Sequence, residues 1–89
     1  MYVAKVRGTV VSTSKDERLV GFKLLVVQRF DVDAGFLGMP EVSVDTVGAG
    51  IGNTVIVTKG SSARFAADRT NAPIDSTIVG IVDSVEMQA

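Results

Sequence analysis

The sequence predicts an all-β fold, a small closed barrel with one short helix before its last strand. Two observations predict it. Five short β-like runs fill most of the 89 residues. Glycines fall within or between those runs, where a barrel must bend. Several runs are also apolar on both faces, so the second face needs a partner, which points to an oligomer. A sheet with one wet face alternates apolar and polar residues, and the last run, Thr77 to Val85, does not.

The first strand is expected from about Tyr2 to Thr13, with Tyr2, Ala4, Val6, Gly8 and Val10 facing the core. Gly8 marks a sharp bend or close backbone approach in that phase. Ser14 to Arg18 is a charged turn. The second strand is expected from about Leu19 to Phe30, with Val20, Phe22, Leu24, Val26 and Phe30 as its core face. Leu25 and Val27, in the other phase, hint at burial on both sides. Asp31 to Pro40 reads as a loop or irregular hairpin, punctuated by glycine and proline. The third strand is expected over Glu41 to Val47, the glycine-rich turn over Gly48 to Asn53, and the fourth strand over Thr54 to Lys59. Ser61 or Ser62 offers an N-cap hydroxyl for a short helix through Asp68. Pro73 ends that segment by disfavouring the helical conformation at Ala72. The fifth strand is expected over Ser76 to Glu86. No linker or repeat interrupts residues 1–89, so they read as one domain. Closure removes exposed edges, and the five-stranded OB-like barrel is the natural candidate.

Composition narrows the function. A domain of this size buries only about 60–65% of the surface its unfolded chain exposes. Yet 46% of the residues are hydrophobic, more than a small core can hide, which points to an oligomer. No cysteine is present to form a disulfide or thiolate metal site, and no histidine to act as base or ligand. The net charge is −1 with no basic stripe, which disfavours nucleic acid as a partner. The longest aliphatic run, Leu24 to Val27, is far short of the roughly 20 residues a bilayer requires. Met1 to Lys5 lacks the charged and apolar regions of a secretory signal, so a cytoplasmic site is expected.

The motifs carry little chemistry of their own. Gly48-Ala49-Gly50-Ile51-Gly52 has neither the dinucleotide-binding nor the phosphate-loop spacing, and a strand rather than a helix follows it. A tight turn, or close packing against a neighbour, is the preferred reading. Ser61 and Ser62 have no histidine to activate them, so helix capping beside an exposed or interface Arg64 is preferred. The carboxylates are scattered, and Asp31-x-Asp33 lacks the other ligands of a calcium loop. Asp83 interrupts an apolar strand and should find hydrogen-bond donors there. Phe22 and Phe30 fall in the expected core phase, leaving Phe36 and Phe65 as candidate contact anchors.

An ordered set of segments then carries a resemblance. They are Val10-Val11-Ser12-Thr13, Asp45 to Gly52, Gly60-Ser61-Ser62-Ala63-Arg64, and Pro73-Ile74-Asp75 leading to Ile78 through Asp83. Together they resemble the bacterial microcompartment vertex proteins, of the ethanolamine-utilisation and carboxysome pentamer type. The resemblance spans nearly the whole chain. It implies an OB-like barrel assembling as a cyclic homopentamer, with no enzymatic activity, cofactor or metal. Such pentamers cap the vertices of polyhedral shells that enclose metabolic enzymes in the cytoplasm. The implied partners are further copies of the chain and hexameric shell proteins, with no nucleic acid and no membrane. Gly48, Ala49, Gly50, Gly52, Ser61, Ser62, Arg64 and Asp83 become candidates for the subunit interface or the fivefold axis. A ring joins unlike faces of neighbouring subunits. One face of Ile78 to Val85 should therefore pack in the barrel and the other near a neighbour. The alternative is a stand-alone OB-fold module for single-stranded nucleic acid or another ligand. The charge balance and the buried aromatics count against it.

Overall fold

A computed structural model describes residues 1–88. Its strands are β1 (Tyr2–Val10), β2 (Lys23–Asp31), β3 (Gly35–Asp45), β4 (Thr54–Lys59) and β5 (Ser76–Val82), with helix α1 (Ser61–Ala66) before β5. They close into a barrel in the order β1-β2-β3-β5-β4. The expected architecture is present. All pairings are antiparallel except the β3–β5 seam, which is parallel and brings Val44 opposite Thr77 and Asp45 opposite Ile78.

Several boundaries differ from expectation. β1 ends at Val10 and β5 at Val82, because the residues beyond are no longer paired along a neighbour. The charged turn contains a 3-10 turn, Glu17–Leu19, capped by Asp16. The Asp16 carboxylate accepts from the Arg18 backbone N–H at 2.9 Å and from its guanidinium at 2.7 Å. Those bonds hold its pKa down at about 2. Arg18 also donates to the Asn71 carbonyl at 2.6 Å, tying this turn to the segment after α1. Of the two readings of Asp31 to Pro40, loop or irregular hairpin, the structure has the irregular hairpin, with β3 already under way at Gly35. Pro40 is tolerated because it lies in a bulge: Val27 pairs with Glu41, yet Arg29 pairs with Leu37. The Gln28 amide donates to the Gly38 carbonyl at 2.8 Å and so fills that bulge. At the helix, Gly60 occupies the N-cap with φ of 69°, a conformation glycine adopts freely. Ser61 and Ser62 are inside α1, and neither caps it with its side chain.

The interior explains a phase error on β2. Leu25 and Val27 point into the barrel with Ala4, Val6, Ala49, Val55, Val57 and Ile78. The expected core face instead serves elsewhere. Phe22 and Leu24 pack with Leu19 against a second cluster of Val44, Ala63, Ala67, Ala72 and Ile74, on the α1 side. Val20 is exposed. Two apolar faces give two candidate phases, and only the partner elements decide between them. On β1 the expected phase holds for Ala4 and Val6, and the register shifts at Gly8, where the bend was expected.

Thr77 joins the two clusters. It is fully buried, and its hydroxyl donates to the Ala63 carbonyl at 2.8 Å. Thr77→Val keeps the shape but leaves that carbonyl without this donor. The Ala67 N–H still donates to that carbonyl at 3.1 Å, so the unfolding free energy should fall by about 0.5–1.5 kcal/mol, read by urea denaturation. Amide exchange should rise in β5 before β1 and β2.

Candidate functional site

The glycine-rich turn folds back onto the barrel. Asp45, at the end of β3, accepts from the backbone N–H of Val47 at 3.1 Å and of Ala49 at 2.9 Å. Lys23 lies 3.6 Å from the same carboxylate and donates to the Ala49 carbonyl. Asn53 accepts from the Gly50 N–H at 2.8 Å, and the Gly52 N–H reaches the Val6 carbonyl at 2.9 Å. Ala49 is fully buried in the barrel core, whereas Gly48 and Gly52 are exposed with φ of 80° and 92°. Positive φ there explains the glycines. Ile51 is left at the tip, 69% exposed.

The second candidate group lies on α1. Ser61, Ser62 and Arg64 surround an open depression of about 460 Å³ with Phe65 and Thr70. Arg64 is half-buried and donates to the Ile74 carbonyl at 3.4 Å, while Phe65 is 80% exposed. The third candidate, Asp83, departs from expectation. It lies one residue past β5 and is exposed, so water solvates it and no buried donor is required. Among the described residues, no hydrogen bond joins these three groups to one another.

Two clusters were not anticipated from the sequence. At one, Glu41 of β3 accepts from Lys59 of β4 at 2.8 Å, from Ser76 of β5 at 3.4 Å and from the Tyr2 hydroxyl of β1. Burial pushes the Glu41 carboxyl up, but the bonds from Lys59 and Tyr2 outweigh it and leave the pKa below the ordinary glutamate value. Burial, then the Glu41 carboxylate, raises the Tyr2 pKa. At the other, Lys5 and Arg7 of β1 lie over the rings of Phe30 and Phe36. Phe30 thus faces outward rather than into the core. No spacing rule announces either cluster, since each joins residues far apart in the chain.

The family described as ethanolamine utilisation protein EutN/carboxysome matches residues 1–83. The chain belongs to this family. Among EutN/carboxysome relatives, the microcompartment shell vertex protein GrpN of Rhodospirillum rubrum is 56% identical over 86 residues, covering 97% of both chains. The shell vertex protein PduN of Salmonella typhimurium is 46% identical over 89 residues, covering 96% of this chain and 98% of its own. In three dimensions the barrel superposes on the pentameric GrpN shell protein of R. rubrum with a TM-score of 0.88 at 55% identity, covering 99% of this chain and all of that one. It superposes on CcmL of Gloeobacter violaceus with a TM-score of 0.89 at 40% identity, covering 98% and 90%. These relatives lend no support to a nucleic-acid-binding barrel.

Two outcomes test the geometry. Asp45→Ala should free the glycine-rich turn, seen as faster amide exchange at Ala49 and Gly52, at a cost of about 1–3 kcal/mol. Glu41 has a folded pKa below its unfolded one. The stability it contributes is present above the ordinary glutamate value of 4.5 and is lost as pH falls through the folded pKa. Glu41→Gln should therefore flatten the acid limb of a stability–pH curve, and a limb of unchanged slope would count against the Glu41 cluster.

Proposed function

We propose that this protein is a structural component of a bacterial microcompartment shell, a homopentamer that caps the shell's vertices rather than an enzyme. The observation that carries this reading is the full-length match to the pentameric GrpN shell protein, in sequence and in fold together. Hexameric shell proteins are the proposed neighbours. A flat hexagonal layer closes into a polyhedron only where fivefold units introduce curvature. The location follows: the shell of a compartment inside the cytoplasm.

The surface suits such a role. Phe65, Ile51, Met39, Ile81 and Val85 are all substantially exposed, more apolar surface than an isolated barrel needs. In a cyclic ring one face of each subunit meets a different face of the next. Ile78 packs inside the barrel while Ile81, on the same strand, is 41% exposed. That division supports β5 as a strand with one end in the core and the other available to a neighbour. The glycine-rich turn, Ser61, Ser62 and Arg64 remain candidates for the subunit interface or the fivefold axis. Asp83 remains one as an exposed carboxylate.

Native mass spectrometry should show a species of five chains; a stable monomer at micromolar concentration would overturn the ring. Arg64→Glu should shift that species toward smaller assemblies while leaving the thermal midpoint of the barrel within a few degrees. Unchanged assembly would remove Arg64 from the interface.

A further inference from the structure

The outer face of β1 and the β2–β3 hairpin carries a built cationic pair. Lys5 Nζ lies 4.4 Å from the centre of the Phe30 ring, and the Arg7 guanidinium lies 4.3 Å from that of Phe36. The two rings meet edge to face, 5.3 Å apart at 67°. Arg7 also donates to the Gln28 amide oxygen at 2.6 Å, and Gln28 is itself held by the Gly38 carbonyl. The guanidinium is thus fixed by a ring and a buried amide. Among the described residues, neither Lys5 nor Arg7 has a carboxylate partner. Arg7 is the extra residue where the β1 register shifts between Val6 and Gly8, and the paired rings of Phe30 and Phe36 set it beside Lys5.

Beside this pair runs a groove of about 190 Å³, lined largely by Val3, Phe30, Val32, Val82 and Val85. Among the described residues that line it, Asp83 is the one carboxylate. Lys5 pairs with Thr54, and Thr54 with Val82, so Asp83 lies two strands across from β1, away from Phe36. The groove therefore has a positive side and a negative side.

We propose that this face docks an acidic segment of another polypeptide, with a carboxylate against Arg7 and Lys5 and an aliphatic side chain in the groove. Charge complementarity selects the carboxylate, and a fixed guanidinium can bind it in two-pronged fashion. The valines select the aliphatic neighbour. Nucleic acid fits poorly. Single strands bind by stacking bases on free aromatic faces, and here each ring has a cation over it. The site is separate from α1 and the glycine-rich turn but shares Asp83 and Val85 with the ring contacts proposed above, so ring and docking are read out separately.

The test uses the full-length protein and a fluorescein-labelled peptide of alternating glutamate and leucine, followed by anisotropy. Binding should weaken with added salt. The double variant Lys5→Gln with Arg7→Gln should lower affinity at least fivefold, and Arg7→Lys alone should lower it measurably because the charge stays but the fork is lost. Absence of binding, equal binding by the double variant, or competition by an oligothymidine of matched length would each overturn the proposal. Native mass spectrometry of the double variant separates this from the ring. Loss of the five-chain species would assign Lys5 and Arg7 to a subunit contact and overturn docking, whereas an intact ring with weakened peptide binding supports it. Thermal unfolding with an unchanged midpoint confirms that each variant is folded.

Discussion

The barrel closes along a seam only two residue pairs long, and the rest of the structure depends on it. Val44 faces Thr77 and Asp45 faces Ile78 in the one parallel pairing of the sheet. Backbone bonds alone are few there, so side chains hold the seam. Thr46 donates to the Ile78 carbonyl at 2.7 Å and Ser76 to Glu41 at 3.4 Å, while Thr77 ties β5 to α1 through the Ala63 carbonyl at 2.8 Å. Without the seam β3 and β5 would become free edges, exposed to unwanted strand pairing. The same few residues also anchor α1 and the glycine-rich turn. Asp45 is both a seam residue and the acceptor that orders Val47 and Ala49.

The strands near that seam carry apolar residues on both faces for a structural reason. One face fills the barrel. On the other, Leu24 and Val44 meet α1 and the chain after it, Ala63, Ala67, Ala72 and Ile74, in a second layer. Part of the surplus grease is thus consumed within the subunit. The remainder, at Phe65, Ile51, Met39 and Ile81, stays on the surface, where a shell protein requires contacts. A closed barrel is well suited to this work. Its closure at the β3–β5 seam limits the strand edge open to uncontrolled pairing, which favours association through side-chain surfaces that can specify geometry.

The charge arrangement divides along similar lines. Glu41 gathers Tyr2, Lys59 and Ser76 from three other strands and fastens them together. Its carboxylate is satisfied internally. Among the described residues, no acid pairs with Lys5 or Arg7, yet both are held in place over aromatic rings. Groups that stabilise the barrel have found their partners within the chain. Groups that are fixed but unmatched are the ones left to meet another molecule.

The fold class, the number of strands, the helix before the last one and the bend at Gly8 were legible in the sequence. Each is a local signal: a period, a glycine, a proline, a run of β-branched residues. The family, too, was legible in an ordered set of short motifs spread along the chain. The face of β2 that enters the barrel was not. Phe22 and Leu24 are as apolar as Leu25 and Val27, and periodicity cannot rank two greasy faces. Nor could sequence place Pro40 within β3, because the bulge that tolerates it depends on Gln28 in the partner strand. The Glu41 cluster and the cation–aromatic pair were equally hidden, since their bonded partners lie far apart in sequence, Tyr2 and Glu41 by 39 residues. Local chemistry determined which elements form. Only closure of the barrel decided which side of each element faces in, because a side chain's surroundings are set by strands distant in sequence and adjacent in space.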